Sequence, residues 1–250
     1  MILPNLGLSL TMTKKYDLQN LSDHGVHLWY APLTLSDTTL SQLTDKVSAA
    51  EIAAANRRLK KDAQQKYIAS KAITRDILSR YLNTKPLEID YVLGSHGKPE
   101  LLNQALQFNV SHAGDWMVLA ITKTVAVGVD IEYGVRNVDY QALAKRFFAQ
   151  SERAAIKNAT DFYRCWTRKE AFIKATGLGL SFGLSNFAVS VLEISSSISA
   201  LLSIHGDVAL AAEWSVQSVP LIEGLPQDYR VSIATRGPLK NINCYFYEYY

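Results

Sequence analysis

Apolar and polar positions follow two rhythms along this chain. Val26–Ala31 (VHLWYA) is a short, nearly continuous apolar run with aromatic members, and it predicts a first strand. From Asp37 to Leu82 the spacing becomes helical. It is clearest over Ala63–Leu82, where Tyr67, Ile68, Ala72, Ile73, Ile77, Leu78 and Tyr81 recur on one face. Strand-like runs follow at Leu87–Leu93, Leu106–Val110, Trp116–Thr122 and Val125–Glu132, with turn signals at Gly94–Pro99 and Gly114–Asp115. Tyr140–Asn158 and Asp161–Ala175 return to the helical pattern, and Gly177 and Gly179 close it. Phe187–Leu192, Glu213–Ser218, Tyr229–Thr235 and Ile242–Tyr247 read as strands.

This order predicts an α+β fold rather than a strict βαβ alternation. Its two parts share a rhythm, which suggests a duplicated unit, although no residue-level repeat is visible. The expected division is an irregular lead-in over 1–23, a first half over 24–123 and a second over 124–250, meeting at the polar turn Lys123–Thr124.

Composition narrows the class. With 250 residues, 48% of them hydrophobic, the chain can bury a full core, and no apolar run approaches the roughly 20 residues of a membrane span. Met1–Met12 has no basic flank and carries Pro4, so it does not read as a secretory leader. Cys165 and Cys244 form neither a disulfide framework nor a metal-ligand spacing, and a reducing cytoplasm is the plain expectation. A net charge of +3 is too small to indicate nucleic acid, but it suits a small anionic ligand or an acidic partner.

Three clusters carry candidate chemistry. In Val127-Gly-Val-Asp-Ile-Glu132, a strand would point Asp130 and Glu132 to one face, a hard-oxygen pair suited to Mg²⁺. Taken alone, the hexapeptide favours the plainer reading of a strand end with two solvated acids. In Trp166–Gly179, a helix would stack Trp166, Glu170 and Lys174, offering a third carboxylate and a cation, or simply a surface ion pair. Phe108-Asn-Val-Ser-His112, preceded by Gly97-Lys98-Pro99, offers Ser111 and His112 as an anion clamp, or merely a turn containing a histidine. No G-x-S-x-G elbow surrounds the serine, which removes a hydrolase nucleophile from consideration.

Together and in this order, Gly97-Lys-Pro99, Phe108–His112, Gly128-Val-Asp-Ile-Glu132 and Trp166-x-x-Lys-Glu-Ala-x-x-Lys174-x-x-Gly-x-Gly179 resemble the surfactin-synthetase-type 4′-phosphopantetheinyl transferases, from about Val26 to Phe187. The resemblance implies two related α+β halves with coenzyme A between them. It implies Mg²⁺, with Mn²⁺ as the alternative, held by Asp130, Glu132 and Glu170. Lys174 and His112 would contact phosphate, and Glu152, after Lys145-Arg-Phe-Phe148, would activate the incoming serine. Arg58, Lys66, Lys98, Pro99 and Ser111 become candidates for holding coenzyme A on the first-half side, with Arg75 structural. Gln64, Gln65 and Lys66 stand where relatives carry arginines, which leaves the 3′-phosphate contacts open. The implied reaction moves 4′-phosphopantetheine to a serine of an acyl, peptidyl or polyketide carrier protein and releases 3′,5′-ADP. The implied enzyme is a cytoplasmic monomer.

Two other classes compete. A coenzyme A-binding module without catalysis would be expected to have lost one of the acids, yet all four are present. A nucleotide-binding regulator would need a phosphate loop, and Gly177-Leu-Gly179 follows a helix instead of a strand.

Overall fold

A computed structural model describes residues 21–134, 138–194 and 199–249, together with the backbone of residues 9–12. Among these, strand β1 (Ser9–Met12) precedes β2 (Gly25–Pro32), α1 (Asp37–Thr44), α2 (Ala49–Asn56) and α3 (Lys61–Leu82). Next come β3 (Tyr91–Leu93), β4 (Pro99–Leu101), β5 (Gln107–Ala113), β6 (Trp116–Thr122) and β7 (Val127–Tyr133). Then follow α4 (Tyr140–Phe147), α5 (Gln150–Ala155), α6 (Ala159–Thr176), β8 (Phe187–Val189), β9 (Leu201–Ile204), α7 (Val208–Ala212), β10 (Trp214–Val219), β11 (Tyr229–Arg236) and β12 (Asn241–Phe246).

The mixed α+β class is as the sequence predicts. The larger sheet runs β1-β12-β2-β6-β5 and the smaller β10-β11-β7. One connection order underlies both. A strand leads through a long helix to a hairpin, and the second hairpin strand pairs with the first strand: β2-β6-β5 with α3, then β7-β11-β10 with α6. The last strand departs from the order of the sequence, since β12 pairs in parallel with β2 and so joins the sheet of the first half.

Several local expectations change. The lead-in is not wholly irregular, because Ser9–Met12 pairs in parallel with β12; the remainder of residues 1–20 lies outside the described residues. The expected strand Leu87–Leu93 shortens to β3, because Pro86 opens a 3-10 turn over Pro86–Glu88. The expected helix Tyr140–Asn158 divides at Phe148, whose extended backbone (φ −99°, ψ 156°) ends α4 before Glu152 caps α5. Strands β4 and β9 and helix α7 are too short to show a period.

The two sheets meet where β5 runs beside β7. Side chains make the join: Asn109 Oδ1 accepts from Val129 N at 2.9 Å and Ser111 Oγ accepts from Ile131 N at 3.3 Å. Residues two apart on a strand share a face, so the Asn-Val-Ser run of β5 presents both acceptors to β7. Helix α6 lies directly on that second strand. A Cβ on Gly128 would stand 2.1 Å from Ala171 O and 2.3 Å from Ala175 N, so only glycine permits this approach.

Candidate active site

Asp130, Glu132, Glu170, Lys174, Ser111 and His112 line one cleft of about 350 Å³, with Val110, Ile131 and Trp166 completing its wall. Strand β7 supplies the two acids from one face, α6 supplies Trp166, Glu170 and Lys174 at four-residue spacing, and β5 supplies Ser111 and His112. Contact between the backbones at Gly128 sets the separation of helix and strand on which these side chains depend.

The hydrogen bonding centres on Asp130, which is 3% exposed. Its Oδ1 accepts from Ser111 Oγ at 2.9 Å and from Lys174 Nζ at 2.6 Å, and Lys174 Nζ also donates to Ser111 Oγ at 2.9 Å. Asp130 Oδ2 is buried with no hydrogen-bond partner among the described residues. Burial pushes the Asp130 carboxyl above the usual range, with Lys174 opposing. Glu170 is pushed up to about 7, first by burial and then by the charges of Asp130 and Glu132. His112 shows part of its surface to solvent, yet desolvation of the ring and then Lys174 hold it below the usual imidazole value.

Among the described residues, no three His, Cys, Asp or Glu side chains are already gathered as a metal cage. The donor set nevertheless fits a hard divalent ion. Three carboxylates line one cleft, a buried carboxylate oxygen lacks a partner among the described residues, and Glu170 is raised by burial and then by the like charges beside it. Mg²⁺ characteristically completes its shell with water and substrate phosphate rather than a full protein cage.

Two further pockets adjoin the cleft through shared residues. Lys98 and Gly97 line one with Lys174, His96, Gly177 and Gly179, and Arg58 and Pro99 line the other with His112, Tyr67 and Lys71. Lys98 donates to Val127 O at 2.9 Å, and burial brings its pKa down to about 8. Across the seam, His96 Nδ1 lies 3.1 Å from Gly177 O, so the Gly94–Lys98 turn rests against the end of α6. Arg75 is paired with Glu51 and tied to backbone carbonyls.

Two predicted site residues are brought neither to the cleft nor to the adjoining pockets. Lys66 is engaged by Asp62 at 3.0 Å and Asp115 at 2.7 Å, and it lines none of these pockets. Glu152 is 2% exposed: its Oε1 meets Lys169 Nζ at 2.7 Å and Val189 N at 2.8 Å, and its Oε2 accepts from Ala149 N at 2.8 Å. A carboxylate so enclosed cannot reach a serine on another protein, and its place after the Phe-Phe pair reflects a helix cap. The sequence reading also passed over Lys71, whose only signal was its place one turn after Tyr67 on α3.

The seam gathers three carboxylates and the cation of Lys174 from a strand of one sheet and helix α6, beside Ser111 and His112 of the other sheet, an arrangement whose chemistry suits a phosphorylated ligand. The comparisons with known proteins agree. The model of the 4′-phosphopantetheinyl transferase superfamily matches residues 126–234, and that of the 4′-phosphopantetheinyl transferase N-terminal region matches residues 34–124. The chain is 36% identical over 180 residues to the 4′-phosphopantetheinyl transferase HetI of Nostoc sp., covering 68% of this chain and 76% of HetI. It is 36% identical over 163 residues to psf-1 of Bacillus pumilus (62% and 68%) and 32% identical over 137 residues to Sfp of Bacillus subtilis (52% and 59%). The chain belongs to the 4′-phosphopantetheinyl transferase superfamily.

Proposed function

We propose that this chain transfers the 4′-phosphopantetheine arm of coenzyme A to a serine of an acyl, peptidyl or polyketide carrier protein, releasing 3′,5′-ADP. The observation that carries the reading is Asp130, a buried acid with one oxygen unpartnered, beside Glu132, Glu170 and Lys174 in the cleft of a family member. Asp130, Glu132 and Glu170 would hold Mg²⁺, or Mn²⁺ in its place; when bound, the ion neutralises pyrophosphate charge. Lys174, at the rim of that acid set, and His112 face the phosphates and offset charge shifting to the leaving group. The serine oxygen bonds to the β-phosphorus, the bridging phosphorus–oxygen bond to the α-phosphate breaks, and the serine proton leaves toward the acidic rim.

The first half, 24–123, then takes the adenine and 3′-phosphate side, with Arg58, Lys71, Lys98 and Pro99 lining the pockets there. The second half, 124–250, takes the metal side. A net charge of +3 suits an acidic carrier, and nucleic acid has no part in the reading. No described helix is long and apolar enough to cross a membrane; we assign the enzyme to the cytoplasm as a monomer.

Mass spectrometry of an apo carrier protein incubated with coenzyme A and Mg²⁺ tests the reading. The wild-type chain should add one phosphopantetheine, and Asp130→Asn should lose at least about 10²-fold in rate while keeping its circular dichroism spectrum. An unmodified panel of carriers, or an Asp130→Asn rate equal to wild type, would refute it.

A further inference from the structure

A cavity of about 520 Å³ lies apart from the cleft, between the N-terminal turns of α6 and strands β10 and β11. Arg164, Arg168 and Arg230 line it together with Ile194, Val219 and Leu221. Its volume is in the range of small-molecule sites, and its wall combines an apolar body with three arginines against one carboxylate, Glu193, which Arg164 neutralises at 2.6 Å.

Arg168 is the informative residue. It is 1% exposed. Its Nε donates to Ser218 Oγ at 2.9 Å, and its Nη1 donates to Ser190 O at 2.7 Å and Leu192 O at 2.8 Å. All three acceptors are neutral, and among the described residues Nη2 makes no hydrogen bond and no carboxylate lies within 4.0 Å of the guanidinium; Glu193 attracts it only from farther off and is itself held by Arg164 at 2.6 Å. Removing a charge from water without a counter-ion costs several kcal/mol by order of magnitude, so such groups are normally paired. Arg164 does not relieve it, because its own charge repels, and it is satisfied by Asp161 at 3.0 Å and by Glu193 at 2.6 Å. Arg230 spends Nη1 on the carbonyls of Gln227 and Tyr229 and adds a third cation to the wall.

We propose that this cavity binds a small amphipathic anion. Its carboxylate or phosphate head pairs with Arg168 and Arg230, and a short apolar body rests on Val219, Leu221 and Ile194. The site is separate from the acid cleft, although Arg230 pairs in register with Glu132 one strand away.

Calorimetric titration of the full chain with octanoate, octyl phosphate and octanol tests this without any activity readout. Saturable binding of octanoate or octyl phosphate is expected, with octanol weaker by about tenfold or more, the scale of a charged hydrogen bond. Which of the two anions binds more tightly identifies the head group. Arg168→Met should lose the anion preference. Because that variant removes a structural tether, Arg230→Met and the cavity-filling Leu221→Trp provide independent checks, and each should weaken binding while leaving carrier modification at its wild-type rate. Equal affinity for octanol and octanoate, no saturation at millimolar ligand, or competition by coenzyme A would overturn the proposal. Coenzyme A-dependent carrier labelling, measured separately, would then still stand or fall by itself.

Discussion

Helices α3 and α6 hold their sheets with the same device, built in two strengths. In the first half, Glu51 caps α2 by accepting from Ser48 N and also pairs with Arg75 of α3 at 2.8 Å. Arg75 Nη1 then donates to Pro86 O and Ile89 O, which bracket a 3-10 turn, and its guanidinium lies 4.8 Å from the Tyr91 ring. In the second half, Glu152 accepts from Ala149 N at the start of α5 and pairs with Lys169 of α6 at 2.7 Å. Lys169 Nζ donates to Leu184 O and Phe187 O, which bracket another 3-10 turn, and it lies 4.3 Å from the Phe187 ring. A tie between a cap, a long helix and the turn after it thus occurs twice in the fold. The first version is near the surface, with side-chain exposures of 7% and 13%; the second is sealed at 0% and 1%. Only the second stands beside the acid cleft, since Lys169 precedes Glu170. The difference teaches that the tie next to the acid cleft is the one sealed from water.

Breaking each tie in turn gives the largest expected effect. We predict that Glu152→Gln destabilises by about 3–5 kcal/mol, because it strands a fully buried ammonium, whereas Glu51→Gln costs roughly 1–2 kcal/mol, since that pair keeps side-chain exposures of 7% and 13% and is less completely desolvated. Urea unfolding of both variants measures this, and equal losses would remove the distinction. Carrier modification per folded molecule should persist in Glu152→Gln. Loss of turnover in a variant that remains fully folded would restore the serine-activating role expected from the sequence.

Gly128→Ala should come next, at about 1–3 kcal/mol of overpacking, because its Cβ meets helix backbone that no side-chain rotation can clear. Displacing α6 separates Glu170 and Lys174 from Asp130, so carrier labelling should fall by more than stability alone explains. Wild-type labelling in a stable Gly128→Ala would show that this close approach does not set the site.

A smaller effect concerns Lys98, which burial brings down to about 8. A depressed lysine is charged below that value and neutral above it. Coenzyme A affinity should therefore be greatest below about pH 8 and weaken by up to about tenfold per pH unit above it, with proton uptake on binding. Calorimetry in buffers of different ionisation enthalpy measures the uptake, and Lys98→Met should flatten the profile. A flat wild-type profile would exclude Lys98 from the phosphate side.

Least is expected from Asp76 on α3. Burial raises its pKa, but Lys46 and Arg80 outweigh this and hold it below the ordinary value. A carboxyl so depressed adds stability above its unfolded pKa of about 3.9, and that stability is lost as pH falls through the lower folded value. Asp76→Asn should remove that part of the acid limb in a pH series of thermal unfolding, and an unchanged limb would place the acid sensitivity elsewhere.

The sequence by itself carried the α+β class, most of the long elements and, through the family resemblance, six polar residues that line the cleft. Periodicity and i, i+2 or i, i+4 spacing are local properties that a linear chain displays, so Asp130 with Glu132, and Trp166 with Glu170 and Lys174, could be grouped before any coordinates. What local spacing cannot show is which partner a side chain meets across the fold. Tertiary structure alone closed Glu152 onto Lys169 and turned Lys66 toward Asp115. It brought Lys71 to the groove, carried β12 back to the first sheet and pressed α6 against Gly128. A carboxylate's role is set by the dielectric and the counter-ion it meets, and chain packing supplies both.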